Sequence, residues 1–185
     1  TRYWRDWSSD VCSSDLDSES NDGIEGIVAL EAVMPFVEKG IALASNSILK
    51  ENSFRVLPSY GVFEEIPFET SSIDFAIQIE SLHHAMNLEI AVREISRIVQ
   101  PGGFLISFDR SWPDSVSQRT LDEILDHAYS KEWLEGKNFD RKERFTRRDN
   151  GGHEYRDSEW KSAFQKNNFE VISEIDRKST RLNSS

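Results

Sequence analysis

The sequence predicts an α/β fold built on a mostly parallel, doubly wound β-sheet. Short β-branched apolar runs alternate with helical patterns, and the stretch 64–110 has the order strand, helix, Pro-Gly-Gly turn, strand. Apolar runs of this kind are typical of parallel strands buried by helices on both faces. Because ligands bind at the carboxyl ends of such strands, the candidate functional residues follow each strand: Glu31, 60–63, 78–84 and 109–112.

The chain before the central stretch contains two short apolar runs and one helical pattern. Gly26–Leu30 is β-branched and apolar, which predicts a first strand that ends on Glu31. Apolar residues recur at helical spacing over Phe36–Leu49 and predict a helix. A second strand is predicted over Phe54–Leu57, before a turn at residues 58–61.

The central stretch has a continuous pattern. Phe75–Ile79 is apolar except for one glutamine and predicts a buried strand. Asn87 is a suitable N-cap for the amphipathic helix that follows it. Pro and Gly at 101–103 predict the end of that helix, and Phe104–Phe108 predicts the next strand.

The last third of the chain is less periodic. A helix is predicted around Leu121–Ala128, and the charged segment 141–148 has no clear period. Asp157 or Ser158 is expected to cap a last helix, and residues 169–175 alternate like a strand.

Composition indicates one domain and disfavours several classes of partner. The 185 residues carry 22 basic and 33 acidic side chains, a net charge of −11. This acidity disfavours nucleic acid as a partner, and the one cysteine, Cys12, disfavours disulfides and thiolate metal sites. No apolar run is long enough to span a bilayer, so we expect a cytoplasmic protein without a membrane partner.

Both ends of the chain resemble translated DNA-sequencing adaptor. Residues 6–16 and 176–185 correspond to opposite strands of one adaptor oligonucleotide, so we expect 1–16 and 176–185 to be non-native and exclude them from fold reasoning. The remainder, 17–175, keeps 17 of the 22 basic and 29 of the 33 acidic residues.

Five short motifs in the central stretch resemble, in order, those of class I S-adenosylmethionine-dependent methyltransferases of the type 11-like group. They are Glu64-Glu65, Ile66–Phe68, Ser72–Asp74, Leu82–His84 and Pro101–Gly103. The resemblance implies a Rossmann-like sheet, S-adenosyl-L-methionine as cofactor and methyl transfer to a small-molecule acceptor.

The resemblance also implies roles for residues at the strand ends. Glu31 stands where the family has an acidic residue that accepts hydrogen bonds from the ribose hydroxyls. Val62 and Phe63 stand beside the expected adenine, although Val62 replaces the acidic acceptor that is usual there. Gln78 and Glu80 follow the next strand and stand where the loop lines the methionine part of the cofactor.

Further residues are candidates for contact with the acceptor. His84 is the preferred proton acceptor of the His83-His84 pair; the alternative is a structural role for both imidazoles. Residues 113–156 are expected to be a variable insertion that covers the substrate. Within it, His153 and Arg148 are candidates for a polar, anion-binding lid, and a solvated loop is the alternative. Two adjacent histidines without further ligands do not predict a metal site.

The resemblance has one large gap. The family's first strand and Gly-rich cofactor loop have no counterpart before Glu31, and a last strand is missing as well. We therefore expect the predicted strands to separate into two groups, and this fragment of the parent enzyme to be poorly stable and inactive. Two rival functions stay open: a nicotinamide-dependent Rossmann oxidoreductase, and a non-catalytic methyltransferase-like binding protein.

Overall fold

The computed structural model describes residues 26–32, 34, 36–48, 56–136 and 144–175. Its elements are β1 (Ile27–Glu31), a π-helical turn (Phe36–Gly40) that continues into α1 (Ile41–Ile48), β2 (Val56–Tyr60), β3 (Ile73–Ile79), a 3₁₀ turn (Leu82–His84), α2 (Leu88–Ile98), β4 (Val99–Phe108), α3 (Gln118–Leu125), α4 (Lys131–Gly136) and α5 (Asp157–Lys166). Both expected non-native ends lie outside the described residues.

The strands form two parallel pairs. β1 pairs with β2 and β3 pairs with β4, and Ala76 of β3 lies opposite Leu105 of β4. The parallel α/β class predicted from the sequence is therefore confirmed. Within the described part of the chain, no strand pairing joins the two pairs. The described strands therefore form two groups that are not paired with each other, as expected from the sequence.

β2 extends further than the sequence indicated. The predicted turn at 58–61 is wrong, because the strand continues to Tyr60 and pairs Pro58 with Ala29 of β1. Proline has no N–H for a second neighbouring strand, so it is tolerated at the edge of a sheet. Within the described residues β2 has β1 as its partner strand, which makes it such an edge.

The Pro-Gly-Gly turn lies inside a strand rather than before it. Asn87 caps α2 through Oδ1, which accepts from Ile90 N at 3.0 Å, and the helix ends at Ile98. β4 then begins at Val99, so residues 100–103 form an irregularity in the pairing with β3. Gly103 is required there because a Cβ at this position would collide with the carbonyl oxygen of Asp74.

The main hydrophobic core lies on one face of the β3–β4 pair. α2 and α5 pack against each other, and Val92 and Trp160 are buried together with the strand residues Ala76 and Leu105. The opposite face presents alternate strand residues, and we call it the open face. It consists of Phe75, Ile77, Phe104 and Ile106, of which the last three are 44–50% exposed.

Three expectations for the last third need correction. Residues 169–175 are not a strand: Ile172 is 89% exposed, and no described strand pairs with it. The last helix begins at Asp157, with Arg156 as N-cap, one residue before the first candidate cap. The short helix α4 was not predicted; its Leu134 is buried against Phe145 in a small second cluster.

Candidate functional site

The carboxyl ends of β3 and β4 meet at one edge of their sheet. Glu80 follows β3 and is tied to the end of β4 by a backbone bond from its N–H to the Phe108 carbonyl. Its φ of +46° is uncommon for a residue with a side chain, and its carboxylate is exposed. The predicted cofactor residue Glu80 therefore lies at the edge where ligands of parallel sheets bind.

Asp109, the first residue after β4, organises the loop that follows β3. Its carboxylate accepts from Ser81 N at 3.1 Å, from His83 N at 3.2 Å and from His83 Nδ1 at 2.7 Å. The side chains of His83 and Asp109 are each only 4% exposed. The other ring nitrogen of His83 meets the Arg110 guanidinium. Both nitrogens of His83 are thus occupied within the protein, which matches the structural alternative for this histidine.

Gln78 has a similar internal role. Its Oε1 accepts from Ser81 Oγ at 2.9 Å and from the Leu82 N–H at 3.3 Å, and its Nε2 donates to Ser107 Oγ. The residue is buried. The predicted cofactor residue Gln78 therefore shapes the loop, and its side-chain groups are turned inward.

His84, the preferred catalytic histidine, is a weak base in this setting. Burial, followed by the neighbouring His83, lowers its pKa from the usual 6.5 of histidine to about 3. A hydrogen bond with the backbone of Gly151 opposes this shift. His84 is therefore neutral at physiological pH, and a base of such low pKa takes up a substrate proton poorly.

The other predicted cofactor residues lie on the β1–β2 pair. Glu31 ends β1, and its carbonyl accepts from the Gly61 N–H at 3.1 Å, which aligns the two strand ends. Val62 is 44% exposed, whereas Phe63 packs against the main core. Glu31 and Val62 are thus placed at a carboxyl edge, whereas the contacts of Phe63 are those of a core residue.

The two predicted acceptor residues have different surroundings. Arg148 pairs with Asp122 and Asp126 of the α3 region at 3.3 and 2.8 Å, so it fastens residues 144–150 to that helix. His153 is closer to the strand ends, since its N–H donates to the His83 carbonyl at 2.9 Å.

A buried carboxylate that was not among the predicted site residues joins several of these parts. Glu154, whose side chain is 1% exposed, accepts from Trp112 Nε1 at 2.6 Å and from Arg147 Nη1 at 3.1 Å. Arg110 lies 3.6 Å away. The position of Trp112 after β4 is the sequence signal for this cluster, whereas Glu154 has no local pattern that marks it as buried.

A cleft of about 400 Å³ opens beside this carboxylate. Its lining residues are Trp112, Thr120, Glu123, Ile124, His127 and Arg147. The cleft therefore lies between α3, the segment after β4 and the turn at 146–151. Among the described residues, no helix is long and apolar enough to cross a membrane. In the same part of the chain, no three or more His, Cys, Asp or Glu side chains are grouped so that they could hold a metal ion.

Sequence comparison gives matches in the region that contains these elements. Residues 28–107 match the family described as a methyltransferase domain. The uncharacterized protein YafE of Escherichia coli (strain K12) is 30% identical over 80 residues, which cover 41% of this chain and 39% of that protein. Sterol 4-C-methyltransferase strm-1 of Caenorhabditis elegans is 41% identical over 46 residues, 25% of this chain and 14% of the relative.

Structural comparison gives a similar fold over a larger region. The YcgJ protein from Bacillus subtilis superposes with a TM-score of 0.55 at 24% identity, over 77% of this chain and 52% of that one. At this identity the likeness shows the fold. The chain spans between about one seventh and one half of the length of the proteins it matches.

Proposed function

Because residues 28–107 match the methyltransferase domain family, we propose that the protein transfers a methyl group from S-adenosylmethionine to a small-molecule acceptor. The observation that carries this proposal is the parallel β3–β4 pair, whose carboxyl ends present an ordered polar loop, within a segment that matches the family. A nicotinamide-dependent reaction has no comparable support.

The residues at the strand ends have the chemistry that this cofactor requires. Glu31 is the last residue of β1, and a glutamate carboxylate there is of the type that can accept hydrogen bonds from both ribose hydroxyls. The half-exposed Val62 offers an apolar surface to a flat ring but no acceptor for an amino group. Glu80 offers an exposed carboxylate that suits the ammonium group of the methionine part. We assign these three residues to the cofactor.

The residues of this chain act by positioning. S-adenosylmethionine supplies an electrophilic methyl on a positively charged sulfur. Asp109 and Gln78 hold the 80–84 loop rigid, so that Glu80 and His84 keep fixed places at the edge of the sheet. Holding two reactants in line is a large part of catalysis when no difficult proton transfer is involved. Neutral His84 then accepts a hydrogen bond from the substrate that receives the methyl group, and it does not act as a strong base.

The acceptor is proposed to be a small molecule, covered by the 113–156 region. A relative that is named for a small-molecule acceptor, the sterol 4-C-methyltransferase, supports this class.

The cofactor cradle is proposed to need a further strand between β1 and β3. The two strand pairs share no ladder within the described residues, so Glu31 and Glu80 belong to separate sheets. We expect the 185-residue chain by itself to bind the cofactor weakly and to be inactive, as the sequence suggested.

Cofactor binding tests the proposal. S-adenosylhomocysteine binding is measured by calorimetry for this chain and for a longer protein in which residues 1–16, expected to be non-native, are replaced by coding sequence recovered from an independent clone. The longer protein is expected to bind with micromolar affinity, and Glu31→Gln to weaken binding about tenfold or more. Glu38→Gln, an exposed carboxylate in the π-helical turn, is the matched control. Equal effects of the two substitutions, or no binding by either protein, would contradict the assignment.

A further inference from the structure

The open cleft beside Glu154 is lined by an aromatic ring and a guanidinium that Glu154 holds in place. We propose that it takes a planar, largely apolar molecule that bears one carboxylate, and that this molecule is the methyl acceptor or a part of it. The identification as acceptor rests on the proposed methyl transfer, whereas binding of the carboxylate does not. Its volume of about 400 Å³ is within the range of small-molecule sites.

Glu154 fixes two walls of the cleft. Its Oε2 accepts from Trp112 Nε1 at 2.6 Å and its Oε1 accepts from Arg147 Nη1 at 3.1 Å. A carboxylate with 1% exposure is costly to bury, and charged hydrogen bonds compensate that cost. The indole ring and the guanidinium are therefore held in place before any ligand arrives.

The Trp112 and Arg147 walls determine the class of ligand. An indole ring with Ile124 nearby favours a flat apolar body. Arg147 is 35% exposed, and its contact with Glu154 uses Nη1. A guanidinium has five donors in a planar fork that matches a carboxylate, so the remaining donors of Arg147 suit a ligand anion.

The other charged groups of the cleft do not oppose this arrangement strongly. Glu123 lines it from α3, but its carboxylate pairs with Arg119 at 2.9 Å on the exposed side of the helix. Arg110, the second cation near Glu154, lies 3.6 Å from that carboxylate. With Glu154 and the neighbouring Asp109, the two arginines are balanced in charge, so the expected preference for an anion rests on the partly exposed guanidinium of Arg147 rather than on a net positive charge.

The cleft lies near the carboxyl ends of β3 and β4, where we place the proposed methyl transfer. Trp112 comes three residues after Asp109, and Arg110 contacts both the His83 ring and Glu154. A ligand against Trp112 would thus be one layer of side chains from the loop that carries Glu80 and His84.

A titration without cofactor tests the inference on the whole chain. The two ligands are 2-naphthoate and 2-naphthalenemethanol, which share a ring system and differ in charge. Binding is followed by NMR at the indole N–H of Trp112, identified among the five tryptophans with Trp112→Phe. We expect saturable binding, with naphthoate preferred about tenfold over the alcohol.

Matched variants separate the cleft from general effects. Arg147→Gln is expected to remove the preference for naphthoate, and Arg147→Lys to keep part of it because the charge stays while the fork is lost. Ile124→Trp, which places a larger side chain in the lining of the cleft, is expected to abolish binding of both ligands. Arg148→Gln removes a neighbouring arginine that pairs with α3 and should leave the preference unchanged.

The inference is overturned by lack of saturable binding in the wild type, by equal affinity for the two ligands, or by equal effects of the Arg147→Gln and Arg148→Gln substitutions. It is likewise overturned if the Ile124→Trp variant binds normally. The naphthoate titration contains no cofactor. Absence of S-adenosylhomocysteine binding in the separate calorimetric test would therefore refute the proposed reaction without affecting the result for the cleft.

Discussion

At the scale of single residues, two adjacent histidines have different environments. His83 is held between Asp109 and Arg110, and both of its ring nitrogens are occupied. His84 points to the 146–151 turn, and burial keeps it neutral. The pair therefore illustrates how a local motif can combine a positioning residue with a candidate ligand contact.

The depressed pKa of His84 predicts acid sensitivity. The unfolded chain takes up a proton on this imidazole near pH 6.5, whereas the folded chain does so only near pH 3. Unfolding therefore takes up a proton in this interval, and the free energy of unfolding falls as pH falls from about 6.5 toward about 3. The slope from this group is at most about 1.4 kcal/mol per pH unit.

Denaturant unfolding at several pH values measures this effect. His84→Gln is expected to flatten the curve by about one proton. An unaltered slope in the His84→Gln variant would refute the assignment.

Sequence reasoning located strand-end residues better than it located their partners. Glu31, Glu80 and Asp109 could be placed at carboxyl ends because each follows an apolar run. The burial of Glu154 depends on Trp112, 42 positions away, and no local pattern reports such a contact. Arg148, a lid candidate from the sequence, is paired with Asp122 of α3 and with Asp126 just after it, and no local pattern indicates these two ion pairs.

At the scale of elements, the acidic motif before β3 is a clamp on α2. Glu64 Oε1 accepts from the N–H of Asn87, the N-cap residue of α2, at 3.0 Å. Arg97 donates to the carbonyls of Phe68 and Ile66 at 2.7 and 2.8 Å, and Glu94 accepts from the Ile66 N–H at 3.2 Å. The same contacts lower the pKa of Glu94, chiefly through its hydrogen bond with Arg97.

The clamp makes Arg97 important for stability. Arg97→Lys keeps the charge but cannot reach both carbonyls, and is expected to lower the free energy of unfolding by about 1–2 kcal/mol. Arg93→Lys, on the exposed side of the same helix, is expected to change it by less than about 0.5 kcal/mol. Equal values for the two variants in urea unfolding would contradict the clamp.

The irregularity at the start of β4 makes a second element-scale prediction. Gly103→Ala should lower the free energy of unfolding by about 1–3 kcal/mol, because the new methyl would collide with the Asp74 carbonyl. Gly136→Ala, where nothing lies within 4 Å, is the control and is expected to be neutral or slightly stabilising. A neutral Gly103→Ala variant would show that β4 has another register.

At the scale of the whole molecule, the described strands form two separate pairs, and the β3–β4 pair leaves one apolar face uncovered by α2 and α5. A parallel sheet is normally covered on both faces, but α2 and α5 cover only one face of β3–β4. The fold class was predictable because the strand–helix–strand pattern at 64–110 is local. The extent of β2 and the absence of a strand at 169–175 were not, because both depend on which strand edges are available for pairing.

Exposure of the open face predicts the behaviour of the chain in solution. Replacing Phe104 and Ile106 together by threonine is expected to reduce binding of the dye ANS and aggregation, with little loss of stability. Leu105→Thr, the intervening residue beneath α2, is the matched control and should lower the free energy of unfolding by about 1–3 kcal/mol. Comparable losses in both variants would show that the open face is covered.

The apolar open face also has a consequence inside a cell. Holdase chaperones bind exposed apolar surfaces of this kind in preference to fully folded proteins. A polypeptide with Ile77, Phe104 and Ile106 at the surface is therefore expected to be retained by the quality-control machinery and degraded early, unless another segment arrives to shelter them.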